Sequence, residues 1–143
     1  MNEPEWMLEM LGGPGDARRT VAVVGLSDDP SKASYAVSAY MQEQGYRILP
    51  VNPGVASVLG ERSHASLSEL VSELGERPDV VNVFRLPKFL PAIVDEMLAL
   101  GLDNLWVQMG IRNDAAAQKA ESGGIHVVMD RCIMVEHRRL MGD

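Results

Sequence analysis

Five short apolar runs, separated by stretches with helical periodicity, set the pattern of this chain. The runs are made largely of Val, Ile and Leu and show little alternation with polar residues. Such continuity is typical of parallel strands that are covered on both faces of a sheet. The five predicted strands are 21–24, 47–51, 79–84, 104–107 and 125–129.

Between the runs, apolar residues recur at spacings of three and four, as on one face of an α-helix. The predicted helices are 5–11, 37–44, a short one around 67–71, 89–98 and 115–121. Gly45 and Gly101 are expected to follow the ends of two helices, and Asn113 is expected to cap the start of another. Residues 55–68 predict a loop with a short extended piece near Val58.

Strands that alternate with helices predict an α/β fold: a Rossmann-like, doubly wound, mainly parallel five-stranded sheet in three layers. We expect one domain over residues 1–143, with residues 1–14 as an N-terminal extension that is helical in part. In such folds the ligand binds at the carboxyl ends of the strands, where the strand order reverses.

Charge and composition narrow the possible partners. The 143 residues contain 20 Asp and Glu against 13 Lys and Arg, a formal net charge of −7. This balance disfavours nucleic acid, whereas a local site for a small anion is compatible with it. The single Cys132 and the scattered histidines predict neither a disulfide framework nor a metal site. With no signal-peptide character and no long apolar run, we expect a soluble cytoplasmic protein without a membrane partner.

The loop after the first strand carries the first chemical signal. Gly25 allows a ligand to approach the backbone, and Lys32 offers a positive charge. Ser27, Ser31 and Ser34 offer hydroxyl groups, and the helix that follows presents free backbone N–H groups to an anion. An ordinary strand-to-helix turn with a serine cap is the alternative interpretation.

The dinucleotide fingerprint is incomplete. Only the first glycine of G-x-G-x-x-G is present, and the second strand ends in Asn52-Pro53-Gly54 instead of the acidic residue that binds the NAD ribose. Both departures argue against NAD. They leave ligands with a phosphorylated ribose open, among them coenzyme A and NADP.

Several short motifs, in order along the chain, resemble the bacterial CoA-binding domain family. That family is related to the N-terminal CoA-binding domain of the succinyl-CoA synthetase alpha subunit. The resemblance covers about residues 15–140. The segments that carry it are Val23 to Ser27 with Pro30 and Lys32, Tyr46 to Pro53, Asp79 to Arg85, Gln108 to Ile111, Val127 to Cys132, and Glu136-His137.

The resemblance implies coenzyme A as the ligand and assigns segments to its parts. The loop after the first strand would meet the phosphates, the turn after the second would lie near the nucleotide end, the loop after the third would line the adenine side, and the turn after the fourth would face the pantetheine arm. In that order, the implied residues are Gly25, Ser27, Pro30, Lys32 and Ser34; Asn52 and Pro53; Arg85, Leu86, Pro87 and Lys88; and Gly110 and Ile111. Gly25→Val is expected to block the ligand while leaving the fold largely intact.

The sequence assigns no catalytic residue. Cys132 and His137 are five apart and would not share a helix face, so Cys132 is expected to be a small buried residue. The leading hypothesis is a stand-alone CoA- or acyl-CoA-binding protein without catalysis of its own. The alternatives are a CoA- or NADP-using enzyme component that acts with a partner chain, and an NAD(H) redox sensor, which the missing acid disfavours.

Overall fold

The computed structural model describes residues 4–12 and 19–141, and strands and helices alternate along most of that length. The strands are β1 (Thr20–Val24), β2 (Arg47–Val51), β3 (Ser57–Val58), β4 (Glu61–Arg62), β5 (Val80–Val83), β6 (Asn104–Val107) and β7 (His126–Val128). The helices are α1 (Pro4–Leu11), α2 (Ala33–Glu43), α3 (Leu67–Leu74), α4 (Leu90–Leu100), α5 (Asp114–Ser122) and α6 (Ile133–Met141). A 3-10 turn, Pro87–Phe89, leads into α4.

Five of the strands form one parallel sheet in the order β2-β1-β5-β6-β7. The order runs outward in one direction from β1 to β2 and in the other from β5 to β7, so it reverses between β1 and β5. The predicted doubly wound, five-stranded parallel fold is therefore confirmed. The reversal point is where folds of this kind hold their ligands.

The apolar character of the strands follows from burial on both faces. Along β1, Val21 and Val23 pack into one core layer, and Ala22 and Val24 pack into the other. The first layer lies under α1, α2 and α6, and the second lies under α3, α4 and α5. Because both faces are covered, the four buried positions from Val21 to Val24 are all apolar.

The predicted helix ends agree with the structure. The Asn113 side chain accepts a hydrogen bond from the Ala116 N–H at 3.0 Å and so caps α5. Gly101 ends α4 with a φ of 71°, and Gly45 follows α2 with a φ of 102°. Only glycine adopts these backbone angles without strain.

Strand ends and the segment between β2 and α3 differ from the prediction. Asp79 lies before β5 because its carboxylate accepts hydrogen bonds from the Thr20 N–H and hydroxyl, at 2.8 and 3.1 Å. Residues 57–62 form a small antiparallel hairpin, β3-β4, where the sequence predicted a loop with one extended piece. The next residues return to the sheet, since His64 forms a parallel bridge with Val51.

The N-terminal extension is helical where it is described. Met7, Met10 and Leu11 of α1 are buried, and the Trp6 ring stacks on His126 with 4.8 Å between centroids. Residues 1–3 and 13–14 of the predicted extension lie outside the described residues. Within the part of the chain that the structure describes, no helix is both long and apolar enough to cross a membrane.

Gly25 holds three neighbouring strand ends together. Its N–H donates to the Val51 carbonyl at 2.8 Å, and its φ is 91°. A Cβ at this position would lie 3.0 Å from the Phe84 carbonyl oxygen and 3.0 Å from the Arg85 Cδ. The expectation that Gly25→Val leaves the fold intact is therefore wrong, because the added side chain would push against backbone.

Gly25→Ala is expected to lower the free energy of unfolding more than Gly45→Ala does. Both glycines have a positive φ, but a Cβ on Gly45 would meet nothing within 4 Å. The backbone strain should cost about 1–2 kcal/mol in either variant, and the clash at Gly25 should add about 1–3 kcal/mol. Urea unfolding of the two variants measures the difference, and equal losses would contradict it.

Candidate functional site

The loops that follow the parallel strands all lie at the carboxyl edge of the sheet. They are 25–32 after β1, 52–56 after β2, 84–89 after β5, 108–113 after β6 and 129–132 after β7. The thirteen residues that the resemblance implies all lie in the first four of these loops or, for Ser34, in the first turn of α2. The fold thus brings the predicted residues to one edge.

The loop after β1 is ordered by its own side chains. The Ser34 hydroxyl is buried and accepts a hydrogen bond from the Ser27 N–H at 3.0 Å. The Ser27 hydroxyl in turn accepts from the Asp29 N–H at 3.0 Å. Asp29 accepts from both the N–H and the hydroxyl of Ser31, at 2.9 and 2.8 Å. The loop is therefore held by the hydroxyl groups of three serines that the sequence offered as ligand contacts: Ser27, Ser31 and Ser34.

The Asp29 carboxylate is held in its charged form. The hydrogen bond from the Ser31 backbone lowers its pKa most, followed by the Ser31 hydroxyl and, more weakly, the charge of Lys32. The group is exposed, so this shift contributes little to stability. Its role is to fix the turn that leads into α2.

The N-terminus of α2 lacks a side-chain cap. Lys32 occupies the cap position and makes no side-chain hydrogen bond there. By contrast, Ser66 caps α3 by accepting from the Glu69 N–H at 3.1 Å. The first amides of a helix attract anions when no side chain satisfies them. The start of α2, next to β1, is thus suited to a phosphate.

Asn52 ties the loop after β2 to the loop after β1. Its Nδ2 donates to the Leu26 carbonyl at 3.0 Å, and its Oδ1 accepts from the Gly54 N–H at 2.8 Å. The backbone of Asn52 is held as well, since its N–H donates to the His64 carbonyl at 2.8 Å. Both polar ends of the side chain are engaged within the protein, and the neighbouring Pro53 is exposed.

Three cations that form no ion pair with a described carboxylate lie near β1 and β5. The Arg85 guanidinium lies 4.0 Å from the centroid of the Phe89 ring, and the Lys88 amine lies 5.4 Å from it. Among the described residues, no carboxylate forms an ion pair with Arg85, Lys88 or Lys32. The three cations belong to the two loops on either side of the point where strand order reverses.

The cations near β6 and β7 are paired instead. The Arg112 Nε lies 3.0 Å from Asp114, and Arg131 lies 3.6 Å from the buried Glu136. Glu136 also accepts a hydrogen bond from the Arg139 Nε at 2.9 Å, so its single charge is shared between two arginines. An anionic group would be attracted to the loops after β1 and β5 in spite of the negative charge of the whole protein.

The loop after β6 is joined to its neighbours on both sides. The Asn113 Nδ2 donates to the Pro87 carbonyl at 3.2 Å, and the Gly110 N–H donates to Asp130 Oδ1 at 2.7 Å. Sequence reasoning identified Asn113 as a helix cap only, because nothing in the local pattern shows a contact 26 residues away. It also passed over Gln108, which is buried at the end of β6.

Cys132 and two of the histidines, His64 and His137, are buried. Cys132 is buried just before α6, as predicted, and His137 forms a hydrogen bond with the Tyr40 hydroxyl at 2.9 Å. His64 is buried beside Glu73, with 2.9 Å between Nε2 and Oε2. The described residues contain no group of three or more His, Cys, Asp or Glu side chains placed to hold a metal ion.

The fold defines a Rossmann-like α/β protein, and sequence comparison gives the family. Residues 19–138 match a family model described as a CoA binding domain. The uncharacterized protein YneT of Bacillus subtilis is 41% identical over 119 residues, which are 83% of this chain and 85% of YneT. The chain belongs to the CoA-binding domain family.

Solved structures share the fold of this chain. The structure named cell-free ID.343 from Thermus thermophilus is 39% identical, with a TM-score of 0.85 over 97% of this chain and 99% of that one. The dinucleotide forming Acetyl-coenzyme A synthetase 1 of Ca. Korarchaeum cryptofilum is 21% identical, with a TM-score of 0.65 over 85% of this chain and 27% of the synthetase. The likeness to the synthetase is one of fold alone.

Proposed function

We propose that this protein is a stand-alone CoA-binding module whose ligand lies at the carboxyl edge of the sheet, across the β1 and β5 loops. The observation that carries the proposal lies where the strand order reverses. An uncapped helix start is found there together with three cations that form no ion pair among the described residues. Coenzyme A has a pyrophosphate and a 3′-phosphate, so it needs this kind of local positive site.

The residues present fit such a ligand. Lys32 and the first amides of α2 would hold phosphate groups, and Arg85 and Lys88 would add charge from the neighbouring loop. Gly25 supports this arrangement indirectly, because its backbone lets the two loops meet. Asn52 supports it in the same way through its contact with Leu26.

The same residues argue against NAD as the ligand. An NAD site uses an acidic side chain after the second strand to bind the ribose hydroxyls. Here that place is taken by Asn52, whose amide is engaged with Leu26 and Gly54. A neutral side chain whose amide is already hydrogen-bonded within the protein gives the ribose hydroxyls of NAD no partner.

The loops at the carboxyl edge carry side chains that suit the binding of a ligand. The first four loops contain serines, lysines, two asparagines and two arginines, and none of these loops includes a histidine. Their two acids after β1, Asp28 and Asp29, lie beside the predicted phosphate position and not at the thiol end. We therefore propose binding without catalysis by this chain, in a cytoplasmic setting.

Coenzyme A is expected to raise the melting temperature of the protein, because a ligand that binds only the folded state stabilises it. At a concentration about 100 times its Kd, the stabilisation should be about 2.7 kcal/mol. NAD at the same concentration should give a much smaller shift, and NADP serves as the second comparison because it also carries a ribose phosphate. Differential scanning fluorimetry measures all three, and an NAD shift equal to that of coenzyme A would contradict the proposed site.

Replacing a free cation should weaken binding more than replacing a paired one. Lys32→Gln and Arg85→Gln are each expected to weaken coenzyme A binding by about 1–2 kcal/mol, roughly fivefold to thirtyfold. Arg112→Gln is the matched control, because Arg112 follows a strand at the same edge but is neutralised by Asp114. Isothermal titration calorimetry measures the three constants, and equal affinities for all variants would remove Lys32 and Arg85 from the site.

A further inference from the structure

Two neighbouring helices on one face of the sheet carry exposed apolar side chains. α1 and α6 contact each other, and their buried residues belong to the same core layer. Of the four large apolar side chains that are exposed among the described residues, Leu86 and Met109 lie in carboxyl-edge loops. The other two lie on these helices: Leu8 of α1 is 38% exposed, and Val135 of α6 is 46% exposed. The outer sides of α1 and α6 are therefore only partly polar, at a place outside the proposed ligand site.

The exposed side of α1 is acidic. Glu5, Leu8 and Glu9 follow the i, i+3, i+4 spacing of one helix face, and all three are exposed. Like charges four residues apart repel each other on a helix, and the helix dipole disfavours an acid in the last turn, where Glu9 lies. That turn has no basic residue, and no described cation forms an ion pair with Glu5 or Glu9. A cation from outside α1 would relieve both unfavourable terms.

The exposed side of α6 has the opposite charge. Val135, Arg138 and Arg139 show the same spacing and are exposed. Arg139 is bonded to the buried Glu136, whereas Arg138 forms no ion pair with a described carboxylate and lies over the Tyr40 ring at 4.8 Å. No ion pair joins the acids of α1 to these arginines within the chain, although the two helices are in contact. Opposite charges are thus displayed side by side toward solvent.

We name the exposed residues of the two helices the α1–α6 surface; they are Glu5, Leu8, Glu9, Val135, Arg138 and Arg139. We propose that the α1–α6 surface is the contact of a two-fold symmetric homodimer. A two-fold contact uses the same patch on both chains, so the patch has to be complementary to itself. A two-fold axis along the seam between the helices places α1 of each chain on α6 of the other. Each acidic side then meets a basic one, and Leu8 lies near Val135 of the second copy.

The size of the surface sets the strength of the dimer. Helices of eight and nine residues are about 12–14 Å long, so two of them side by side cover less than the roughly 800 Å² per partner of a standard interface. Exposed ion pairs add little affinity and are screened by salt. The dissociation constant is therefore expected to be on the order of 10–100 µM. The inference does not depend on coenzyme A binding.

The test is sedimentation velocity of the full chain, without coenzyme A, at concentrations below and above that constant. The native chain should pass from monomer to dimer, at higher concentrations when salt is added. Glu9→Lys and Arg138→Glu should each raise the dissociation constant about tenfold to thirtyfold, because each reverses two symmetric pairs. Glu9→Lys places a cation in the last turn of α1, which the helix dipole favours, so that variant should fold normally.

A mixture of the two charge-reversal variants tests the symmetry of the contact. In a mixed dimer of Glu9→Lys with Arg138→Glu, the introduced lysine meets the introduced glutamate, and the native Arg138 meets the native Glu9. Both contacts again join opposite charges. The equimolar mixture should therefore dimerise about as tightly as the native chain, although neither variant does so by itself. A folding defect in one variant would not be rescued in this way.

Apolar variants provide the matched control. Leu8→Gln should weaken the dimer about threefold to tenfold, whereas Leu86→Gln, which changes an exposed leucine of a carboxyl-edge loop, should leave it unchanged. If Arg138→Glu unfolds the chain in a thermal melt, Arg138→Gln replaces it and should weaken the dimer about threefold. A chain that stays monomeric, a dimer that both charge changes leave intact, or a loss that mixing the two reversals does not rescue would overturn the inference. None of these results would alter coenzyme A binding.

Discussion

The close approach of backbone at Gly25 is the constraint on which the candidate site depends. The Gly25 N–H bonds to the end of β2, while its missing side chain lets the chain pass against Phe84 at the end of β5. The loops that follow three neighbouring strands therefore lie close together. A larger residue would separate the loop that starts α2 from the loop that carries Arg85, and the positive charges would no longer face a common ligand.

The pairing of charges then distinguishes one part of the carboxyl edge of the sheet from the rest. The chain has a formal net charge of −7, and most of its cations near β6 and β7 are matched by carboxylates. Lys32, Arg85 and Lys88 are the exceptions among the described cations of the carboxyl edge. The global charge therefore disfavours polyanions, and local pairing sets which part of the edge attracts a small anion.

Much of the fold could be predicted from the sequence because local signals and burial agree. The apolar runs became β1, β2, β5, β6 and β7, and the caps at Asn113 and Gly101 lie where the pattern placed them. The hairpin at 57–62 was not predicted, since two-residue strands leave no periodicity. The return of His64 to the sheet depends on a contact with Val51, which no local pattern records.

The candidate site was predictable as a set of loops but not in its internal bonding. Sequence reasoning took Gly25 as a place for ligand approach, whereas the structure shows that it first serves the packing of two loops. It took Ser34 and Asn52 as direct ligand contacts, and both side chains are used to order the loops. Met109 entered only as part of the motif Gln108 to Ile111, because its exposure is a property of the folded turn.

The most direct test of the account is to map coenzyme A onto the protein by NMR. Backbone amide shifts would be followed as coenzyme A is added to the isotope-labelled chain. The account predicts the largest changes in residues 25–34 and 84–89, with smaller ones at 108–111. Changes centred instead on the opposite edge of the sheet, in the cleft lined by Arg77, Asp79 and Asp103, would contradict it.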